Sequence, residues 1–271
     1  MIKLIASDVD GTLLRGGEGD DIPQEIFQLI LELKKKGILF VAASGRQYPN
    51  LRRLFGPVQE EIGYICENGC MAFYEDQKLH QALMDTKTAH ELIRAVEDIP
   101  QGEVLLSGER VSYIKPGNQE YYRHMKDVVR NNVALLEDLY QMPEPYMKVS
   151  AYRKEGISAY AGQWKKRFGD RVTVATAGFT WLDNMPQGVN KGVPLKKFME
   201  RFGISPQECM AFGDEYNDLE MLKLAEYGFA MDTARTKVKE TCKYHTSSVA
   251  QVLREVLEDK FEEERWHERV Q

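Results

Sequence analysis

Four short stretches of the sequence carry carboxylate, hydroxyl, amide or ammonium side chains of the kind that bind phosphate groups and metal ions. Each stands where a predicted strand ends or a predicted helix begins, and doubly wound α/β folds bind their ligands at such points. In chain order the stretches are Asp8-Val9-Asp10-Gly11-Thr12, Ser44-Gly45-Arg46, Val189-Asn190-Lys191-Gly192 and Gly213-Asp214-Glu215-Tyr216-Asn217-Asp218. We therefore expect distant parts of the chain to meet in one site.

Carboxylates dominate the first and last of these stretches. Asp8 and Asp10 follow a predicted buried strand, and Asp214 and Asp218 would converge on the same edge of the sheet. An Asx-type turn is the alternative for the first pair alone. Four clustered carboxylates, however, repel by about 4 kcal/mol per close pair at roughly 4 Å and an effective dielectric constant of about 20. A divalent cation removes this repulsion, and because the ligands are oxygens and no His or Cys cluster favours zinc, we expect Mg²⁺.

The two middle stretches suit phosphate oxygens. Ser44 and Gly45 offer a hydroxyl and backbone N–H groups at the end of a strand, although Ser-Gly is also common turn chemistry. Lys191 opens a helix, where a cation is mildly unfavourable unless it has an anionic partner, and an exposed surface lysine is the alternative. Arg46 could contact a substrate hydroxyl or pair with an acidic neighbour, and the sequence favours neither.

The elements that must hold these stretches form a doubly wound α/β pattern at both ends of the chain. Residues 2–7 and 38–43 are short apolar runs typical of buried parallel strands. The helix between them has Pro23 suited to its first position and Gly37 suited to its left-handed cap. The same pattern of strands and helices returns after residue 190. Helices are predicted at 191–202, 217–226 and 247–258, and strands at 208–213 and 227–231.

The middle of the chain predicts a different arrangement. Adjacent strands joined by short turns indicate an antiparallel sheet covered by helices, so we expect an inserted α+β domain. The predicted elements are helices at 88–99, 119–133 and 155–168, a hairpin at 103–115, a strand at 146–152, and the strands RVTVAT and FTWLDN meeting around Ala177 and Gly178. The expected domains are 1–84 and 188–271 for the core and 85–187 for the insertion, and the charged tail is predicted to be helical or frayed.

Composition limits the remaining function classes. The chain of 271 residues has 43% hydrophobic and 29% charged residues, as globular proteins do. A net charge of −6, with no stretch that mixes clustered Lys and Arg with aromatic residues, argues against nucleic acid as a partner. The four cysteines form no CxxC pair, and charged residues interrupt the apolar run that a signal peptide needs. We expect a cytoplasmic protein with reduced cysteines and no membrane span.

In order, the four stretches resemble the motifs of the haloacid dehalogenase superfamily. The set DxDGTL, SGR, KG and GDxxND is specific, and the resemblance runs from residue 1 to about 258. It is closest to the Cof-type sugar phosphatases of subclass IIB, whose α+β cap is inserted between the second and third motifs. Here 144 residues separate Arg46 from Lys191, and Glu67-Asn68-Gly69 is similar to the family's segment before the cap. Glu215 departs from the common pattern, which has a small residue there.

The resemblance implies a role for each matched residue. Asp8 would attack phosphorus and form an aspartyl phosphate, and Asp10 would protonate the leaving alkoxide and then deprotonate the hydrolytic water. Mg²⁺ would be bound by the carboxylates of Asp8 and Asp214 and by Asp10 through its backbone carbonyl. The other matched residues would hold the phosphoryl group (Val9, Ser44, Gly45, Lys191 and Asn217) or orient the metal ligands (Thr12 and Asp218).

The implied activity is that of a phosphatase for small phosphorylated metabolites, sugar phosphates included, in a monomer or weak homodimer. A phosphomutase or other phosphotransferase is one alternative, but such enzymes tend to have a cap between the first two motifs, and the 33 residues from Asp10 to Ser44 hold a single helix. A catalytically silent, phosphate-sensing regulatory protein is the other, although no expected catalytic residue has been lost. The candidates for leaving-group selection are Lys148, Tyr152, Trp181, Asp183 and Asn184.

Overall fold

The chain forms two compact units, and each unit contains one β-sheet. The computed structural model describes residues 1–14, 21–177 and 179–261, so the charged tail beyond 261 and the predicted turn residue Gly178 lie outside it. The first unit comprises Met1–Arg46, Leu51–His80 and Asn190–Gln271. The second comprises Gln47–Asn50 and Gln81–Val189.

The strands and helices are numbered in chain order. The strands are β1 Leu4–Asp8, β2 Leu39–Ala43, β3 Gly63–Cys66, β4 Met71–Tyr74, β5 Gln77–Gln81, β6 Glu103–Ser107, β7 Ser112–Ile114, β8 Val133–Leu135, β9 Lys148–Tyr152, β10 Val172–Ala177, β11 Trp181–Pro186, β12 Cys209–Gly213, β13 Tyr227–Met231 and β14 Tyr244–Thr246. The helices are α1 Gln24–Lys35, α2 Tyr48–Leu54, α3 Thr86–Glu97, α4 Gln119–Arg123, α5 Ser158–Phe168, α6 Gly192–Phe202, α7 Leu219–Leu224, α8 Thr236–Thr241 and α9 Val249–Leu257.

The sheet of the first unit has the order β14-β13-β12-β1-β2-β3-β4-β5. Its pairs are parallel from β14 through β3, and β3 and β4 are antiparallel. Strand β1 lies in the middle and is buried along its whole length. Because parallel strands end at the same edge, the residues that follow β1, β2 and β12 come together there. The predicted doubly wound α/β fold is thereby confirmed, and parts of the chain far apart in sequence share this edge.

Helix α1 shows how local sequence sets these elements. Its apolar positions are buried, among them Ile26, Ile30 and Leu33, while Lys34 and Lys35 occupy its last turn. Gly37 has φ +76°, and the N–H groups of residues 37 and 38 donate to carbonyls one turn back, which is a Schellman cap. The prediction for Gly37 is confirmed. Pro23 is the residue before the first helical position rather than that position itself.

The sheet of the second unit has the order β10-β11-β9-β6-β7-β8. All of its pairs are antiparallel except β7 with β8, which is parallel. Helices α3 and α5 pack on one face through residues such as Leu92, Val96, Trp164 and Phe168. The predicted antiparallel sheet covered by helices is therefore largely confirmed.

One predicted helix of this unit is too long. The sequence pattern predicted this helix at 119–133, whereas α4 ends at Arg123 and is followed by one π-helical turn, His124–Val128. Arg130 then has φ +61°, a left-handed conformation that no continuing helix adopts. Val133 pairs with β7 instead, so strand pairing overrides the local helical pattern. Among the described residues, no helix is both long and apolar enough to cross a membrane.

Candidate active site

Three carboxylates from two segments of the first unit lie at the edge where its parallel strands end. Asp8 is the last residue of β1, and Asp214 and Asp218 follow β12. Each of these side chains offers an oxygen within 4.8 Å of the other two. Asp8 and Asp218 are buried, and Asp214 is half-buried. Three of the four carboxylates that were expected to converge therefore lie together, and the fourth, Asp10, is not part of this group.

Lys191 lies between two of these carboxylates. It is fully buried, and its Nζ is 2.5 Å from Oδ1 of Asp8 and 2.6 Å from Oδ1 of Asp218. The carboxamide oxygen of Asn190 accepts from the N–H groups of the two residues after Lys191, at 2.9 and 3.1 Å, which fixes the start of α6. Lys191 is thus a buried, doubly paired ammonium group.

One ammonium group does not balance three carboxylates. Burial raises the pKa of Asp8 well above its usual range, with Lys191 opposing and Asp218 adding to the rise. Burial and Asp218 likewise raise the pKa of Asp214 to about 6. Burial alone would lower the pKa of Lys191, but Asp218 and Asp8 outweigh it and raise the value. All three shifts express a surplus of negative charge in a buried place.

A divalent cation fits this arrangement. Oδ2 of Asp8 is buried and has no hydrogen-bond partner among the described residues, so one of its lone pairs remains to be satisfied. Thr12 Oγ1 donates to Oδ1 of Asp214 at 3.0 Å. A Cβ atom at Gly11, which has φ +93°, would lie 2.2 Å from Oδ2 of Asp214. The ligand atoms of this group are all oxygens, which Mg²⁺ prefers. Within the part of the chain that the structure describes, Asp8, Asp214 and Asp218 form the group that could hold it.

Asp218 also organises the loop that carries Asp214. Its Oδ2 accepts from the backbone N–H groups of Asp214 and Glu215, both at 3.0 Å, while its Oδ1 accepts from Lys191. The Glu215 carboxylate pairs with Arg235, whose Nε lies 3.0 Å away. The N–H of Arg235 donates to the Asp214 carbonyl at 3.0 Å. The residue that departs from the common family pattern therefore ties this loop to the start of α8.

The Asp10 side chain is held apart from the three-carboxylate group by Arg46. Nε of Arg46 donates to Oδ2 of Asp10 at 2.9 Å and a terminal guanidinium nitrogen donates to Oδ1 at 2.6 Å, which makes a two-pronged ion pair. The Asp10 side chain is 47% exposed. Ser44 Oγ lies 3.4 Å from Asp10 Oδ2. Of the two partners considered for Arg46, the acidic neighbour is the one it contacts in this structure.

The candidate phosphate ligands lie around the same edge. Ser44 directly follows β2, and its Oγ accepts from the N–H of Arg46 at 3.1 Å. Val9 is buried, and its carbonyl accepts backbone N–H groups of the turn that follows. Asn217 Nδ2 donates to Oδ1 of Asn68 at 3.0 Å. This contact is not predicted by the sequence pattern, although the Asn68-Gly69 pair is typical of left-handed turns and indicates a special backbone there.

The candidates in the second unit lie on opposite faces of its sheet. Asn184 accepts from Trp164 Nε1 at 2.6 Å and donates to the Val149 carbonyl at 2.9 Å, on the face that α3 and α5 cover. On the other face, Asp183 Oδ1 accepts from Ser150 Oγ at 2.6 Å and Lys148 Nζ lies 3.5 Å from Asp183 Oδ2. The rings of Tyr152 and Trp181 share that face, with centroids 4.8 Å apart.

Comparisons with known proteins agree with this geometry. The family model for haloacid dehalogenase-like hydrolases matches residues 5–253. A 5-amino-6-(5-phospho-D-ribitylamino)uracil phosphatase of Escherichia coli is 26% identical over 248 residues, which cover 91% of this chain and 91% of that protein.

Solved structures share the fold. A Streptococcus mutans protein superposes with a TM-score of 0.83 at 30% identity, covering 95% of this chain and all of the other. A sugar phosphatase of haloacid dehalogenase subclass IIB superposes with a TM-score of 0.77 at 19% identity, covering 94% of this chain and 98% of the other. At the latter identity the likeness concerns the fold alone.

Proposed function

The chain belongs to the haloacid dehalogenase-like hydrolases of the Cof type and is a phosphatase of small phosphorylated metabolites, and from this premise we propose that Asp8 is its nucleophile and Mg²⁺ its cofactor. The observation that best supports the proposal is the environment of the two Asp8 carboxylate oxygens. One carboxylate oxygen is paired with a buried ammonium group and the other is buried without a partner, beside Asp214 and Asp218.

In the proposed first step, Oδ2 of Asp8 forms a bond to phosphorus while the bond from phosphorus to the leaving alkoxide oxygen breaks. Asp10 gives that alkoxide its proton, so the products are an alcohol and an aspartyl phosphate on Asp8. In the second step Asp10 takes a proton from a water molecule as its oxygen attacks phosphorus. Orthophosphate leaves, and the Asp8 carboxylate is restored. Splitting one difficult displacement into two lowers each barrier.

The ion pair with Arg46 bears on when Asp10 can act. In this structure both of its carboxylate oxygens accept from the guanidinium group. We infer that Asp10 must change its contacts with Arg46 to serve as acid in the first step. Arg46 then remains close by, where its charge can help to hold the phosphate ester.

The remaining residues of the site position the phosphoryl group. Ser44, the Gly45 amide, Lys191 and Asn217 offer donors at the edge of the sheet, and Val9 lies within the first motif beside them. Phosphoryl transfer depends chiefly on such positioning and charge stabilisation. When bound by Asp8, Asp214 and Asp218, Mg²⁺ would neutralise part of the negative charge that these residues and the phosphate share.

The substrate class that we propose is a sugar phosphate or a related phosphorylated metabolite. Two observations support it: the fold of the second unit occurs in a subclass IIB sugar phosphatase, and the Escherichia coli relative acts on a phosphorylated ribityl compound. A panel of hexose and pentose phosphates, nucleotides, and flavin and pyridoxal phosphates, assayed for phosphate release, would identify the compounds cleaved.

The direct test of the nucleophile is the Asp8→Asn variant. We expect Mg²⁺-dependent hydrolysis of p-nitrophenyl phosphate by the unaltered protein and a loss of at least about a hundredfold in the variant, because an amide cannot form the acyl phosphate. Circular dichroism of both proteins controls for folding. Residual activity above that level would move the nucleophile elsewhere. If the well-folded, unaltered protein releases no phosphate either with or without Mg²⁺, a phosphate sensor would be favoured. If phosphate is transferred to a sugar and not released, a mutase would be favoured.

A further inference from the structure

The turn between β3 and β4 has an unusual backbone. Glu67, Asn68 and Gly69 follow one another with φ values of +51°, +57° and +102°. Residues with side chains rarely adopt left-handed conformations, and two in succession persist only where surrounding contacts hold them. Asn68 is 3% exposed and Glu67 2% exposed, so this is not a solvent-exposed loop tip.

The backbone of this turn contacts two of the four motif stretches. The N–H of Asn68 donates to the Ser44 carbonyl and the N–H of Glu67 donates to the Arg46 carbonyl, both at 3.1 Å. A Cβ atom at Gly69 would lie 2.3 Å from the Asn190 carbonyl oxygen, so the turn packs closely against the segment that carries Lys191. These contacts account for the left-handed backbone.

The Asn68 side chain reaches a third stretch. Its Oδ1 accepts from Asn217 Nδ2 at 3.0 Å. The same oxygen would lie 2.8 Å from a Cβ atom at Gly45, so the carboxamide of Asn68 lies directly against this glycine. An amide nitrogen carries two hydrogens. When Asn68 accepts one of them, the plane of the Asn217 amide is fixed and its second N–H keeps one direction.

We propose that Asn68 is a positioning residue for phosphoryl binding, which acts by fixing the Asn217 amide and the backbone at Gly45. The inference rests on the proposed function, because it takes the phosphoryl group of the substrate as the ligand that Asn217 and Gly45 hold. Asn68 itself forms no bond to substrate in this scheme. Its contribution is to restrict the freedom of a donor, which raises the effective concentration of that donor at the phosphate.

A double-mutant cycle on Asn68 and Asn217 tests this inference. The variants are Asn68→Gly, which tolerates the left-handed backbone, Asn217→Ala, and the two combined. The readouts are kcat/KM with p-nitrophenyl phosphate and the binding of orthophosphate by calorimetry, both at saturating Mg²⁺. We expect each single variant to lower kcat/KM by about 10-fold or more and the double variant to be little worse than the poorer single one, because both remove the same interaction. Orthophosphate affinity should fall in parallel.

Two further variants separate positioning from folding. Gln101→Gly changes an exposed left-handed residue with φ +61° in the second unit and should leave both readouts unchanged. Asn68→Asp keeps the size of the side chain and an acceptor oxygen for Asn217. In that background Asn217→Ala should cost the same factor as in the unaltered protein, whereas in the Asn68→Gly background it should cost little. If the glycine variant does not fold, Asn68→Ala removes the same acceptor oxygen and takes its place in the cycle.

Additive losses in the cycle, or unchanged orthophosphate affinity in a folded Asn68→Gly variant, would overturn the inference. So would wild-type kcat/KM in Asn217→Ala. None of these outcomes touches the Asp8 chemistry, which is tested by Asp8→Asn alone. Conversely, an active Asp8→Asn variant would refute the proposed nucleophile and remove the premise on which the Asn68 inference rests.

Discussion

At the scale of single residues, the two oxygens of Asp8 have different surroundings. Oδ1 accepts from Lys191, and Oδ2 has no partner among the described residues. A nucleophilic carboxylate needs one oxygen whose lone pairs are available while the charge of the group is stabilised through the other. The buried ammonium group provides that stabilisation. Because Lys191 also contacts Asp218, it ties Asp8 to the loop that carries the other carboxylates.

Asp10 differs from Asp8 in exposure and in partner, and this difference supports its separate role. We expect Asp10→Asn to slow hydrolysis of an alkyl phosphate such as a hexose phosphate by about 10²–10⁴-fold, because an alkoxide needs a proton to leave. The first step with p-nitrophenyl phosphate should suffer much less, since p-nitrophenolate is a stable anion. Rapid-quench kinetics on both substrates would measure the burst of leaving group.

Equal losses with the two leaving groups, or an unchanged pH–rate profile for the alkyl phosphate, would contradict an acid role for Asp10. Arg46→Lys is a useful companion variant, because it keeps the positive charge but cannot make the two-pronged contact seen here.

At the scale of elements, the turn after β1 sets how closely two motifs approach. Gly11 has φ +93° and its missing Cβ leaves room for Asp214. We expect Gly11→Ala to raise the Mg²⁺ concentration for half-maximal activity by about 10-fold, because displacing one carboxylate weakens the metal site by roughly 1–2 kcal/mol. Activity measured against Mg²⁺ concentration checks this.

Gly37→Ala is the matched control for the Gly11 variant. It also places a methyl group on a left-handed backbone, φ +76°, but nothing lies within 4 Å of that Cβ. Both variants should lose stability by about 1 kcal/mol through backbone strain. A shift of the Mg²⁺ dependence in both, or in neither, would show that crowding of Asp214 is not the cause.

Helix α3 of the second unit offers a prediction about pH. Asp85 caps it by accepting from the N–H of Thr88 at 2.9 Å, and hydrogen bonds from the Thr88 side chain and from this N–H hold the pKa of Asp85 below its ordinary value. Because the pKa is lowered in the folded state, the cap contributes its full stabilisation of the fold above about pH 4. It loses this stabilisation as the carboxylate is protonated at lower pH. We expect Asp85→Ala to cost about 1 kcal/mol at pH 7 and less at pH 3.

Asparagine also caps helices but does not titrate, so Asp85→Asn should stay close to the unaltered protein at pH 7 and lack its acid-dependent loss. Denaturation followed by tryptophan fluorescence suits this measurement, because Trp164 and Trp181 both belong to the same unit as α3. An Asp85→Ala penalty that does not change between pH 7 and pH 3 would refute the capping explanation.

At the scale of the whole molecule, the sequence predicted what depends on periodicity and missed what depends on tertiary contact. The strand at 227–231 was predicted to the residue, since its apolar run is bounded on both sides. The short elements α8 and β14 were missed, because six and three residues give no readable period. The prediction made helix α4 too long, because Val133 pairs with β7 and a contact between residues so far apart in sequence leaves no local signal.

The same division holds in the candidate site. The motif order predicted that four carboxylates, Asp8, Asp10, Asp214 and Asp218, would converge, because parallel strands end at one edge. Three of them do form a group, and Asp10 is not part of it. The motif order left two partners open for Arg46, a substrate hydroxyl and an acidic neighbour, and it gave no role for Asn68. Both contacts join side chains that are remote in sequence, to Asp10 and to Asn217 respectively, and neither follows from residue type. The catalytic roles themselves stay predictions until variants are measured.

The surplus charge of the site predicts how metal affects the stability of the whole molecule. Burial and Asp218 raise the pKa of Asp214 to about 6, above its unfolded value of 3.8. The metal-free folded protein therefore binds more protons than the unfolded chain between about pH 4 and 6, so its stability falls as pH rises through that window. If Mg²⁺ binds the ionised carboxylates as proposed, it should offset this loss.

We therefore expect Mg²⁺ to raise Tm more at pH 7.5 than at pH 5, when each is compared with the same protein in EDTA. A metal concentration ten times Kd adds about 1.4 kcal/mol, and for a protein of this size each kcal/mol moves Tm by roughly 2–4 °C. Asp214→Asn removes the titrating group and one proposed metal ligand, so it should flatten the pH dependence in EDTA and reduce the response to Mg²⁺. Equal Mg²⁺ shifts at both pH values would contradict this explanation, because protons and metal would then not compete for the same carboxylates.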